Sequence, residues 1–409
     1  MTDVLLKIRT DCSKCKGDSR KCHPPRCPQR IKAFALNQVK HEFQNKTSLE
    51  GFNPPSFFVG STNYPNITIS PMISLDSANS TFIDEPDIWK TNYQIPQIVN
   101  FRAHLIRAQG RRVDARQIEQ LNNKLLSTSQ ELVLASNPVY TSLNLEKPLQ
   151  YGLSFNTYTQ PMGPRGRIKS FTVEDTPKID HKVDYLVSDT DLLANNGING
   201  LYDLGLSVTR INRILSAGNL GLKGKRSLVP TRWAITATDD NIGKHLIQQI
   251  KSYPEINDYR VFESNYLDNH FITIMTPNRW SYEFLEAWGD TITGDFENYT
   301  GRTNYASNSA GGYYASRLAI LEYLVSIKRQ AEIYCWRYIG NEYYIPLGVW
   351  QVRENVRSSL DKYRSFDDLS SAFLYISSKL QLPLKQWQQT SLLLNFKKRQ
   401  KSILSYIKG

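Results

Sequence analysis

The pattern of apolar and polar positions predicts a helix around residues 30–44 and then a change of period. Pro54-Pro55-Ser56-Phe57-Phe58-Val59-Gly60-Ser61, followed by Ile67-Thr68-Ile69, reads as a strand, a glycine-bearing turn and a second strand. Gly60 and Ser61 either form the corner or line a ligand pocket. Residues 101–120 look helical, with an interruption at Gly110. Residues 182–191 are apolar in the middle and read as extended, and a helical pattern follows through Ile211. Residues 232–237 read as a strand, and a helix is expected from Asp239 to about Tyr253. Alternation over 259–265 and 271–276, around the turn-like Leu267-Asp268-Asn269-His270, predicts a hairpin. Beyond Trp280 the expected elements are helices at 282–288, 313–330 and 365–380, with a connecting or site-covering loop over 304–314.

These elements define an α/β fold class, a mixed α+β body with a partly antiparallel sheet followed by a mostly helical C-terminal domain. The expected boundaries are 1–30 for a cysteine-bearing finger, 31–278 for the mixed body, 279–395 for the helical domain and 396–409 for a tail. Charge sharpens that division. The 409 residues carry 50 Lys+Arg against 38 Asp+Glu, a net +12, and the two ends hold nearly all of the excess. Residues 1–30 have eight basic and three acidic side chains, and 381–409 have six basic and none acidic. A nearly neutral body with cationic ends points to specialised termini rather than a uniform nucleic-acid coat. No apolar run reaches membrane-spanning length, and no signal-peptide segment is present, so a soluble, cytoplasmic protein is expected.

Four of the five cysteines lie close together, Cys12, Cys15, Cys22 and Cys27, in the spacing C-x2-C-x6-C-x4-C. Two such knuckles can supply the tetrahedral thiolate shell that Zn²⁺ prefers, with no open position, which predicts one structural zinc. His23 adjoins a ligand and is an alternative to Cys22. Around the finger, Lys14, Lys16, Arg20 and Lys21 are candidate phosphate contacts, as are Lys223, Lys225 and Arg226 in the glycine-rich segment 216–226. The latter is too irregular for a Walker A loop, and no such motif occurs elsewhere. Arg102, Arg107, Arg111, Arg112 and Arg116 suggest either a phosphate-facing surface or a solvated face with ion pairs. Cys335 is expected to be a buried, unreactive thiol.

Two carboxylates, Asp189 and Asp191, end the segment predicted to be extended. On a strand they project from one face at its end, where metal ligands or acid/base groups often sit; otherwise one of them caps the next helix. Together with Gly60-Ser61, Arg102 and the 216–226 loop, they would form the site of a metal-dependent nuclease or of a nucleotide-using, DNA-modifying enzyme.

The chain closes with Gln400, Ile403, Tyr406 and Ile407 in the pattern Q-x-x-aliphatic-x-x-aromatic-apolar. One helical turn would place Ile403, Tyr406 and Ile407 on one side as a plug and leave Gln400 for a separate pocket, the arrangement used by peptides that dock on the sliding clamp PCNA.

With a four-cysteine finger at one end and a clamp-docking pattern at the other, the sequence resembles the archaeal Nre DNA repair proteins. Phe57-Phe58-Val59-Gly60-Ser61-Thr62-Asn63-Tyr64-Pro65, Pro161-Met162-Gly163-Pro164, Lys182–Asp191 as Lys-Val-Asp-Tyr-Leu-Val-Ser-Asp-Thr-Asp, and Leu228-Val229-Pro230-Thr231-Arg232-Trp233 look like that family's blocks. The resemblance implies a zinc finger, an N-terminal and a smaller C-terminal family domain, a PCNA-interacting tail and a role in the DNA-damage response, in an archaeal, nucleoid-associated setting. It implies no catalytic residues at these positions. Tyr406-Ile407 departs from a double-aromatic ending, which would weaken clamp docking.

Overall fold

The computed structural model describes residues 27–74, 82–120, 122–152 and 163–399. The mixed α/β expectation holds: these residues form helices and two sheets. They fall into two compact units. The first contains the described residues up to Ile242 together with Tyr344–Gly348; the second contains Gly243–Tyr343 and the described residues from Val349 onward.

In the first unit, α1 (Pro28–Phe43) precedes β1 (Ser48–Asn53), β2 (Phe57–Val59) and β3 (Asn66–Ser74). The predicted strand pair is present as β2 and β3, joined at Gly60, whose N–H donates to the Thr68 carbonyl at 2.9 Å. α2 (Pro86–Trp89) and α3 (Ile95–Ala103) follow. The predicted helix over 101–120 is not formed. Instead β4 (Leu105–Gln109) and β5 (Arg112–Asp114) both run antiparallel along β3, with a break at Gly110 and Arg111. Alternation explains this: Ile106, Ala108 and Val113 are buried, whereas the arginines between them are not. Next come α4 (Lys124–Leu132), β6 (Val139–Leu145) and β7 (Arg165–Val173).

The sheet order is β1-β6-β7-β4-β3, and β3 returns to pair with β1 at Phe52 and Ser74, so five strands close a ring. All ring pairings are antiparallel except β4 with β7. Gly51 permits the closure: a Cβ there would lie 2.4 Å from the Ser74 carbonyl oxygen. Inside, Phe57, Val59, Ile67, Ile69 and Val113 pack with Leu126 of α4.

Residues 182–191 are not extended. They belong to α5 (His181–Ser188), which begins where the Asp180 side chain accepts the Lys182 N–H at 2.8 Å. Buried Val183 and Val187, four residues apart, set the helical period. α6 (Ala194–Asp203) and α7 (Val208–Ser216) follow, then α8 (Thr231–Ile250). The strand predicted at 232–237 is therefore the first turns of a helix, which starts behind Pro230.

The second unit holds a six-stranded sheet in the order β11-β10-β12-β9-β8-β13. Its strands are β8 (Tyr259–Tyr266), β9 (Asn269–Thr276), β10 (Ser281–Trp288), β11 (Thr291–Glu297), β12 (Glu332–Ile339) and β13 (Arg364–Phe366). The 259–276 hairpin is as predicted, with Leu267 and Asp268 at positive φ in its two-residue turn.

The helix predicted at 282–288 is instead β10, flanked by β11 and β12. Both its faces are covered, so burial runs without a break from Ser281 through Leu285, Glu283 included, and lacks the alternation that marks a half-exposed strand. The change of type expected near 277–280 accordingly falls inside one sheet, and the segment from 279 on is not mostly helical. Helices α9 (Gly311–Ser326) and α10 (Trp350–Ser359), then α11 (Leu369–Ser377), α12 (Leu384–Thr390) and α13 (Leu392–Arg399), complete the unit. Trp336 lies at the centre of the core between sheet and C-terminal helices, stacked on Phe373 and Trp387.

Candidate nucleic-acid interface

The arginines predicted to share one helix are separated by the strands they occupy. Arg102 ends α3 and points inward to the buried Asp84, which also accepts from Ser56 and from Arg213 of α7. Arg213 further binds Glu85 at 2.5 Å. Both arginines are therefore structural. Arg116 pairs with Asp114 across 3.3 Å at the surface.

Arg107, Arg111 and Arg112 have a different environment. Arg107 on β4 stands directly beside Arg165 on β7, and Gln109 stands beside Arg167. Thr68, Gln109, Gly110, Arg111, Arg112 and Arg167 line a concave space of about 490 Å³ on this outer face. Like charges side by side on neighbouring strands repel. Burial and Arg165 together push the Arg107 guanidinium down to about 10, and its buried Nε has no hydrogen-bond partner among the described residues. Arg107 is otherwise held by the ring of Phe58, 5.8 Å away, and by a long 3.4 Å bond to the Gly163 carbonyl. Among the described residues carboxylate compensation is slight: Glu146 reaches Arg167 only at 3.8 Å, with both side chains exposed. This geometry suits a row of phosphates. Arg165 and Arg167 did not enter the sequence reading, although their i, i+2 spacing around Gly166 was the available signal.

The remaining predicted residues are dispersed. Asp189 ends α5 and its side chain accepts the Asp191 N–H at 2.9 Å, forming an exposed turn. Asp189 and Asp191 thus do not converge at a strand end with Arg102, which is committed to Asp84, and the postulated acid or metal pair is not assembled. The 216–226 segment does meet this turn, but as a structural tie. Arg226 donates to the carbonyls of Gly221, Val187 and Asp189, the Lys223 N–H donates to the Thr190 carbonyl, and the Gly224 N–H donates to Glu119. Lys223 and Lys225 stay exposed.

In the second unit the 304–314 loop is tied down by Asp295, which accepts from the Asn308 and Ser309 amides at 2.9 Å each and from the Ser309 hydroxyl at 2.7 Å. Cys335 is buried, and its thiol is pushed up to about 12, as expected of an inert cysteine.

Cys12, Cys15, Cys22, His23, Lys14, Lys16, Arg20 and Lys21 lie outside the described residues, as do Gln400, Ile403, Tyr406 and Ile407. Cys27, immediately before α1, is buried with a free thiol. Among the described residues no three His, Cys, Asp or Glu side chains form a metal-binding group, and no helix is long and apolar enough to cross a membrane.

The described residues thus form a two-unit α/β protein that gathers Arg107, Arg111, Arg112, Arg165 and Arg167 on one outer sheet face. Residues 22–293 match the family model "Archaeal Nre, N-terminal" and residues 297–406 match "Archaeal Nre, C-terminal", so the chain belongs to the archaeal Nre family. It is 34% identical to DNA repair protein NreB of Archaeoglobus fulgidus over 97% of this chain and all of that protein. It is 32% identical to DNA repair protein NreA of the same organism, over 90% of this chain and 93% of that one. Against DNA repair protein NreA of Haloferax volcanii the identity is 34%, over 77% and 78%. No solved structure matches.

Proposed function

We propose that this protein acts in DNA repair by holding DNA on the arginine face of its first unit while its C-terminal peptide recruits it to the sliding clamp PCNA. The observation that carries the DNA contact is the Arg107–Arg165 juxtaposition: two neighbouring guanidiniums, one partly unsatisfied, gain most from phosphate. The repair role is supported by the names of the relatives.

The finger residues Cys12, Cys15, Cys22 and Cys27 would hold one structural zinc, whose chemistry is to fix the surrounding chain and present Lys14, Lys16, Arg20 and Lys21 to the backbone. At the other end the docking pattern follows α13, a firmly anchored helix. The Glu283 carboxylate accepts the Leu393 N–H at 3.0 Å at its start, and Lys397 reaches the buried Glu332 at 2.8 Å near its end. A fixed exit for a short docking peptide lets a modest DNA binder act at clamp-loaded sites through effective concentration.

The test is paired. Arg165→Gln with Arg167→Gln should weaken DNA binding and flatten its salt dependence while leaving PCNA pull-down intact. Ile403→Ala with Tyr406→Ala should abolish the pull-down and leave DNA binding intact. Unchanged DNA affinity in the first variant defeats the assignment of the face, and retained pull-down in the second defeats that of the tail.

A further inference from the structure

The five-strand ring has a specific connectivity. Counted in chain order as first to fifth, β1, β3, β4, β6 and β7 close in the order 1-2-3-5-4-1, with the third and fifth parallel and all other pairs antiparallel. A helix, α4, is inserted between the third and fourth ring strands and packs Leu126 against Ile67 and Ile69 of the second. This is the topology of a five-stranded Greek-key OB barrel, a fold that takes oligonucleotides across the outer face of its second and third strands and the adjoining loop between the first and second. The concave arginine face lies on those strands, with Thr68 from the second and Gln109 from the third. Fold analogy alone would not assign a ligand. The chemistry at the rim of that face does.

Tyr64, in the connection between the first and second ring strands, and Trp233, in the first turn of α8, meet with ring centroids 5.0 Å apart and an interplanar angle of 59°. Large aromatic side chains usually bury themselves, yet these are 41% and 44% exposed. Their positions are built. The Thr231 hydroxyl accepts the Val59 N–H at 2.9 Å, fixing the start of α8 to the strand that leads into the Tyr64 loop. The Pro65 carbonyl accepts the Ala115 N–H at 2.9 Å, fixing the loop's other end. Cations adjoin the pair. Arg116 lies within electrostatic reach of the Tyr64 hydroxyl, and Arg112 donates to the neighbouring Asn63 when the Asn63 amide oxygen faces it. Exposed aromatics beside a cationic groove let bases stack while phosphates are held, which a duplex with its bases already stacked cannot exploit.

We infer that the first unit is an OB-type barrel that binds single-stranded DNA, with unpaired bases stacking on Tyr64 and Trp233. The inference rests on the arginine face being the DNA surface, and it adds which form of DNA that surface selects.

The test uses the full-length protein with oligo-dT of about 15 nucleotides, a length that covers one OB site, and a duplex of the same length. The expected result is tighter binding of the single strand, with quenching of tryptophan fluorescence that is lost in Trp233→Phe. Tyr64→Ala and Trp233→Ala should each weaken single-strand binding about tenfold and change duplex binding by less than about twofold. Trp233→Phe, which keeps a stacking ring, should restore most of the affinity. Both residues are half-exposed, so the fold should survive these changes, which circular dichroism checks. Equal losses for single strand and duplex, or none for the single strand, overturn the stacking assignment alone. Absence of salt-dependent binding to either form overturns the DNA surface and this inference together.

Discussion

The two sheets treat charge in opposite ways. In the second unit the buried Arg317 meets Glu297 at 2.8 Å and the buried Arg337 meets Glu286 at 2.5 Å, and the half-buried Arg302 meets Asp295 at 2.8 Å. On the outer face of the first, Arg107 stands beside Arg165, and among the described residues the carboxylate that reaches Arg167 is the exposed Glu146 at 3.8 Å. A closed ion pair satisfies its own electrostatics and has little left for a ligand, whereas juxtaposed like charges are a cost that an anionic ligand relieves. The same residue type is thus closed into ion pairs in one sheet and left beside a like charge in the other, and the contrast predicts opposite phenotypes.

The largest effect should come from opening the deepest pair. Arg317 and Glu297 are each about 1% exposed, and Glu297 also accepts the Trp280 indole N–H at 3.1 Å. Arg317→Met strands a buried carboxylate, and urea unfolding should show a loss of about 3–5 kcal/mol with no change in the DNA affinity of protein that remains folded. Reduced DNA affinity at unchanged stability would erase the distinction between the sheets.

A smaller effect is set by Glu283, whose carboxyl lies under the start of α13. Burial pushes it up from an ordinary 4.5 to about 7, against bonds from the Leu393 amide, the Ser391 hydroxyl and the Trp336 indole N–H that favour the carboxylate. Because the folded value is above the unfolded one, the folded state holds the extra proton between them. The stabilisation is complete below about 4.5 and is lost as pH rises through about 7, a fall of about 3 kcal/mol at most. Glu283→Gln should flatten that slope; thermal melts of the two proteins from pH 4.5 to 8 check it.

How legible these features were in the sequence depends on which forces wrote them. The β8–β9 hairpin was readable because its turn chemistry and its alternation agree locally. β10 was not: covered on both faces, it shows no period of two, and its pairing with β12 is set by residues some fifty positions away. The helix α5 (His181–Ser188) is marked by Asp180 and by Val183 and Val187, but these compete with an apolar centre that equally suits a strand. The arginines were visible as a cluster, yet only the parallel pairing of β4 with β7 sets Arg107 beside Arg165 and brings in Arg167. Asp189 and Asp191 show the converse, since two carboxylates at i, i+2 mean a shared face only if the backbone between them is extended.

The smallest stability effect should also have the opposite sign. Arg107→Met removes a guanidinium that is partly buried, lacks a partner for Nε among the described residues and is pressed by Arg165, while the methionine can keep the contact with Phe58. Deleting an unsatisfied buried donor together with a repulsion should leave folding stability unchanged or raise it by up to about 1 kcal/mol, where the equivalent change at Arg317 costs several. The cost appears instead in function: one phosphate contact fewer should lower the salt slope of DNA binding by about one. Urea melts beside a salt titration of DNA binding measure both quantities on one variant. A substantial loss of stability would mean that Arg107 is held by its own sheet, as the arginines of the second unit are, and that the juxtaposed charges are not a ligand site.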